Sequence, residues 1–276
     1  MPLTVKSNTS ANHALNELNK TTRTLSRNFE RISSGLRISR AADDAAGLGV
    51  AENLRASSQS AMVAMRNIND GVSIIAVAEG AAGEVADILV RMRELAVQSA
   101  SETLDDDQRG YIQTEFVALS DEVNRISQVT EFNGNQLSNG TLTQLNVQAG
   151  VNNTTDDVVT ISLGDITATT LGVDTTSVSL ASSTGASAAL DAIDDAIDSV
   201  SSYRANFGAI ENRLGSALNN LEIYSENTQA AESRIRDADF GYETAQLSQN
   251  QILQQAGTAI LQQTKDINQS VTDLLR

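Results

Sequence analysis

Apolar residues at the two ends of the chain recur in alternating steps of four and three. Ala11, Leu15, Leu18, Thr22, Leu25, Phe29, Ile32 and Leu36 form one such series, and Leu253, Gly257, Ile260, Thr264, Ile267, Val271 and Leu274 form the other. Each series falls on one narrow stripe of a helix, the width of a seam for another helix. Neither stripe can bury itself alone. The two ends are therefore expected to pair with each other or with copies of themselves.

The interior of the chain divides by the same reading. Helical spacing resumes from about 45 to 99, with Ile68, Ile75, Ala82 and Leu89 seven apart, after a glycine-containing joint around SSGLRISRAADDAAGLGVAENL. Gly71, Gly80 and Gly83 each weaken that helix, and close approach of another helix is the expected reason for keeping them. Asp105, Asp106 and Asp107 precede a second helix over about 107–129, where carboxylates suit the positive helix N-terminus. Asn133-Gly134 then supplies turn chemistry. The period next changes to two: Leu145, Val147 and Ala149, then Val159, Ile161 and Leu163, flank a polar loop and predict a β-hairpin. Residues 165–184 are rich in Ser and Thr and low in charge, which predicts an extended surface segment, bare or glycosylated. Helical spacing returns over about 186–232. A second joint at SRIRDADFGYETAQL leads to a terminal helix over about 243–275.

The fold class this predicts is mainly α: a terminal coiled-coil domain plus a rod-like bundle of long helices with a small β-hairpin region. Its parts are 1–44, the N-terminal helix of the coiled coil; 45–184, two rod helices, the hairpin and the surface segment; 185–234, the C-terminal rod helix; and 235–276, the C-terminal coiled-coil helix. The two halves mirror each other about the hairpin, so the chain folds back and brings its ends together.

Composition sharpens this picture. The 276 residues include no Trp, no Cys, one Pro and one His, and aromatics make up 3%. That suits long helices packed through small side chains better than a thick aromatic core. A net charge of −16 weighs against nucleic-acid binding by the molecule as a whole. The charge is uneven, however. Lys6, Lys20, Arg23, Arg27, Arg31, Arg37 and Arg40 against Glu17 and Glu30 leave residues 1–40 at +5 and the remainder at −21. Such an arm could meet acidic parts of neighbouring molecules, although a solvated helix face is the simpler account. No apolar run is long enough for a membrane helix, and the start lacks the apolar core of a signal peptide.

Catalytic chemistry is not legible. His13 has no Cys or paired carboxylates to orient it, and a single His cannot anchor a His-rich metal site. Nucleophile-elbow, Walker, dinucleotide and zinc-protease motifs are absent. The reading is a non-enzymatic assembly protein with no cofactor and no metal.

Several long stretches resemble the bacterial flagellin family. They are LSRNFERISSGLRISRAADDAAGLGVAENLR (25–55), RNINDGVSIIAVAEGAAGEVADILVRMRELAVQ (66–98), TEFNG (130–134), FGAIENRL (207–214), SRIRDADFGYETAQLSQNQILQQAGTAILQQ (233–263) and the closing LLR (274–276). The resemblance implies a structural subunit that polymerises into the flagellar filament, the helical propeller of swimming. Its minimal form would lack large outer domains. Self-assembly is then assigned to Leu15, Leu18, Leu25, Phe29, Ile32, Leu36, Leu253, Ile260, Ile267, Val271 and Leu274.

The same resemblance implies export to the extracellular filament without signal cleavage. The implied partners are an export chaperone, the filament cap and hook-junction proteins. A vertebrate Toll-like receptor would be met through RMRELAVQ, at Arg91, Leu95 and Gln98, with Glu115 on the following helix. Leu95 could instead pack between helices, and Arg91 and Glu115 could bridge subunits. The hook–filament junction protein, a structural relative, is the nearest rival. A chemoreceptor-like signalling hairpin fits the central β-hairpin poorly.

Overall fold

A computed structural model describes residues 8–274, with side chains as far as Ile267 and at Gln269. The described helices are α1 (Thr9–Ser34), α2 (Ala45–Ala100), α3 (Asp106–Val129), α4 (Ser183–Arg236) and α5 (Phe240–Leu274). Between α3 and α4 lie β1 (Glu131–Phe132), β2 (Asn135–Gln136), β3 (Gln144–Gln148) and β4 (Val158–Ser162). The chain forms two compact units, Met1–Ala56 with Glu226–Arg276, and Ser57–Ser225. Their boundaries fall inside α2 and α4 and not at the joints near 44 and 234. In the terminal unit, Arg236 at the end of α4 pairs with Glu52 of α2 at 3.1 Å, and Ala51 and Ile38 are buried.

Local chemistry explains where these helices stop. The Asn8 side chain accepts a bond from the Ala11 N–H at the start of α1, and Gly35 ends it at φ 71° while donating to the Arg31 carbonyl. That left-handed cap favours glycine. Asp105 and Gln108 form a reciprocal capping box on α3. Arg109 in the first turn of α3, buried against the end of α2, donates to the carbonyls of Ser99, Ser101 and Leu104 at 2.8–3.0 Å. The Ser99 carbonyl lies in the last turn of α2, where the helix supplies no donor. The joint before α5 is shorter than predicted: SRIR belongs to α4, FGYETAQL to α5, and only 237–239 separate them.

In the central unit, two apolar clusters hold the helices together. One gathers Leu89, Met92, Leu95, Phe116, Ile193 and Val200, with neighbours from α2, α3 and α4. The other joins Ile68, Ile75, Phe207 and Leu214 to the β-region. Asn133 and Gly134, at φ 50° and 79°, form the tight turn between β1 and β2, since both positions need positive φ in such hairpins. Strands β3 and β4 pair antiparallel, with Leu145 opposite Ile161 and Val147 opposite Val159. Their alternation turns Val147, Val159 and Ile161 into the core and leaves Asn146 and Thr160 bonded on the outer face.

Gly71 admits this hairpin: a β-carbon there would stand 3.1 Å from Val147 Cγ2. The close approach is thus made by a strand, with Leu214 of α4 behind it. Gly80 and Gly83 have open space instead, so the expectation of helix contact does not hold for them.

Residues 165–184 depart furthest from expectation. They are turned, not extended, and Ile166, Ala168, Leu171, Val173, Val178 and Leu180 are buried in the first cluster. The Ser and Thr between them mask this spacing in the sequence. Backbone anchors fix the segment: Ile166 donates to the Ser138 carbonyl at 3.0 Å and Ala168 to Asn124 Oδ1 at 3.0 Å. The Ser99 hydroxyl donates to the Leu180 carbonyl at 2.6 Å.

Phe116, fully buried, is expected to cost about 3–5 kcal/mol when truncated to Ala, read from urea unfolding of the full chain. A second outcome concerns acid. Burial alone would raise the Asp165 pKa, but bonds from Thr170 and Thr167 outweigh it and hold the carboxyl below its ordinary value. The stabilisation is therefore present at neutral pH and is lost as pH falls through that depressed value. Asp165→Asn is expected to flatten this part of the fall in stability below about pH 4, measured by unfolding at a series of pH values.

Candidate functional site: the paired terminal helices

Helices α1 and α5 pack against each other along their lengths and run antiparallel from a shared anchor. There the Leu36–Asp237 bridge is reinforced by Arg37 N–H to the Arg236 carbonyl at 2.7 Å and Ala238 N–H to the Gly35 carbonyl at 2.9 Å. Arg31 meets Glu243 at 3.1 Å, and the glutamate side chain is 5% exposed. Further along, a β-carbon at Gly257 would touch Leu18 Cδ1 at 3.3 Å. Pairing of the ends, read from their heptads, is realised within one chain.

The covered line is not the predicted one throughout. On α1 the line Ala11, Ala14, Leu18, Thr21, Leu25, Asn28 and Ile32 is buried or half-buried, with Thr24, Glu30 and Arg31 half-buried beside it. On α5 the line is Glu243, Leu247, Asn250, Gln254, Gly257, Leu261 and Thr264, with Thr244 and Gln246 half-buried beside it. Both runs keep the three–four spacing of a coiled-coil seam. Leu18, Leu25 and Ile32 of the predicted set lie on it, and Leu36 is half-buried beside the anchor. Leu15, Phe29, Leu253, Ile260 and Ile267 lie off it, between 45% and 54% exposed. Val271 and Leu274 fall outside the described side chains.

The reason is chemical. The seam takes small and polar residues, so a search for the most apolar stripe settles partly on its flank. Thr21, Asn28, Asn250 and Gln254 gave no apolar signal; only the unbroken three–four count through them could have revealed the line.

The exposed apolar residues flank the seam on two sides. Leu253 and Ile260 line a groove with His13, Glu17 and Leu18, whereas Leu15 lines another with Ala11 and Leu261. On a helix of 3.6 residues per turn, positions 13 and 17 of α1 lie on the side of the seam away from 11 and 15. On the outward face Lys20, Arg23 and Arg27 stand exposed, lining a shallow groove with Glu30 and Arg40, which pair at 2.8 Å. Of the basic arm, Lys20, Arg23 and Arg27 thus form a solvated helix face, whereas Arg31 pairs with Glu243, Arg37 donates to the Ile235 carbonyl and Lys6 lies outside the described residues. His13 is exposed as well. Among the described residues no group of three His, Cys, Asp or Glu side chains could hold a metal ion, and no helix is long and apolar enough to cross a membrane.

The second predicted patch lies in the central unit. Arg91 joins Glu115 at 2.8 Å and Glu94 at 2.7 Å within the chain, and these bonds raise the guanidinium pKa above its usual value. Gln98 is exposed nearby on α2. Leu95 is 1% exposed and belongs to the core cluster, so the alternative of packing between helices is the one the structure takes. Its place among the receptor-contact residues is withdrawn.

A long-helix protein whose chain ends pair through a thin seam, with apolar side chains left on both flanks, is built for assembly. The comparisons identify which kind. Residues 5–143 match the bacterial flagellin N-terminal helical region, and residues 190–275 match the bacterial flagellin C-terminal helical region. The chain is 41% identical to a flagellin of Halalkalibacterium halodurans over 248 residues, covering 90% of each. It is 38% identical to a flagellin of Bacillus subtilis over 304 aligned positions, covering 99% of each. The crystal structure of Bacillus cereus flagellin superposes with a TM-score of 0.50 at 31% identity, covering 56% of this chain and 88% of that one. The chain belongs to the bacterial flagellin family, in a minimal form, and is a structural subunit of the flagellar filament.

Removing the cation from the buried Glu243 tests the anchor end of the seam. Arg31→Met is expected to weaken pairing there by about 1–3 kcal/mol, read as faster amide exchange in the first turns of α5. The double change Arg31→Met with Glu243→Leu should recover part of the loss.

Proposed function

We propose that the α1–α5 pair forms the inner wall of the filament, with Leu15 and Phe29 on one flank and Leu253, Ile260 and Ile267 on the other as contacts between copies. The observation that carries this reading is their half-exposure after the two helices have paired. Val271 and Leu274 are proposed to extend the α5 contact. An apolar flank on each side suits a heterologous contact, in which one face of a copy meets the other face of the next. Contacts of that type propagate into open helical polymers where the rotation does not close a ring, whereas isologous contacts always close.

The seam by itself buries little apolar surface against the entropy of ordering two long segments. Packing against neighbours supplies the remainder, so that ordering of the ends is coupled to polymerisation. Export to the outside without signal cleavage fits such a chain, since weakly paired ends unfold at small cost. A cytosolic chaperone on the C-terminal helix, the filament cap and the hook-junction proteins complete the proposed partners. For a vertebrate Toll-like receptor the proposed contact narrows to Arg91, Gln98 and Glu115, which stand exposed on neighbouring helices.

Leu15→Asp combined with Ile260→Asp is expected to abolish filaments, as is removal of residues 1–40 or 250–276. Unfolding of the central unit should stay within about 0.5 kcal/mol of the parent for the point variants, as for surface changes generally. Electron microscopy after seeding and urea unfolding of the same samples are the measurements. Filaments of normal length from the double variant would sink the proposal.

A further inference from the structure

The terminal seam carries two buried amide donors that its packing does not serve. Asn28 on α1 is 5% exposed and Asn250 on α5 is 7% exposed. Neither amide Nδ2 has a hydrogen-bond partner among the described residues. With Leu18 set against Gly257, Asn250 falls opposite Leu25 and Asn28 opposite Leu247. The two asparagines thus occupy adjacent layers, about 4.5 Å apart along the helix axes at 1.5 Å per residue.

A buried amide donor without an acceptor forfeits its bonds to water and regains nothing. Two of them stand next to each other in a seam whose other positions are Ala, Thr, Gly, Gln, Ile32, Glu243 and four Leu. Apolar residues would fit the same heptad positions. Where a coiled coil keeps a buried Asn, stability is given up for control over which pairing forms.

We propose that Asn28 and Asn250 are a built-in weakness: they hold the α1–α5 pair below independent stability in a lone subunit, so that it forms only when neighbouring copies pack on its flanks. The inference rests on the filament reading. Hydrated amides in the open chain stabilise the unpaired ends, and closing the seam strips that water from both. Intersubunit burial of Leu15, Phe29, Leu253 and Ile260 then offsets the loss. The central unit has no part in this balance, because its core is closed within one chain.

The test compares two double variants of the full chain as free subunits, at concentrations where size exclusion shows a single copy. In Asn28→Leu with Asn250→Leu, amide exchange across 9–34 and 240–267 is expected to slow at least tenfold relative to the parent. Leucine is also a better helix former than asparagine. Asn16→Leu with Asn19→Leu, at exposed positions off the seam, controls for this and should slow exchange less than threefold. Unchanged exchange in the seam variant overturns the proposal, and so does equal slowing in the surface variant. Parent ends already as protected as the central core would overturn it too.

Filament formation is scored separately by microscopy. A parent that never polymerises refutes the filament reading, while the exchange comparison still decides whether the two amides weaken the pair.

Discussion

Everything distinctive in this molecule depends on how little the seam between its two ends buries. Leu18 against Gly257 is a leucine on a glycine, and the flanking layers set Ala14 against Leu261 and Thr21 against Gln254. The strong interactions sit at one end, where Arg31 meets Glu243 and the backbone bridge joins Leu36 to Asp237. From that anchor outward the pair is long and weakly held. Side chains that would have made it self-sufficient, Phe29 and Ile260 among them, point to its flanks instead. A subunit built in this way keeps apolar surface on both flanks of its paired ends.

The central unit solves the opposite problem. Two apolar clusters, a hairpin seated over Gly71 and a turned segment bonded to Ser99, Asn124 and Ser138 give it a core that needs no partner. Its surface ion pairs, such as Arg91–Glu115 and Arg93–Asp194, are exposed, where screening by water leaves each worth little. Stability there comes from burial. The same chain thus carries one region whose core is closed within it and one whose paired helices leave large apolar side chains exposed, and the division falls within continuous helices.

Much of this was legible in the residues. The three–four spacing located all five helices, the change to period two located the hairpin, and Asn133-Gly134 marked its turn. The departures share a cause: in this chain apolarity is an incomplete sign of burial. In the seam it misled by about a quarter of a turn, because Asn28 and Asn250 are buried and Phe29 is not. At 165–184 it misled the other way, because alternating Thr and Ser concealed Ile166, Val173 and Leu180. Arg109 escaped notice for a related reason, as a cation whose partners are backbone carbonyls leaves no trace in the pattern of charges. Leu95, singled out by resemblance, belongs to the core by its own heptad spacing from Ile88 and Met92.

The turned segment after the hairpin has a consequence for how such a protein can grow. Val173 and Val178 are both buried, and the exposed Thr175, Thr176 and Ser177 lie between them. Both stems of that short tip are nailed to the core, so additional chain spliced in at the tip would leave the surface and return without disturbing a single packed side chain. The tip is a port through which mass can be added to the surface of the central unit while its core stays the same.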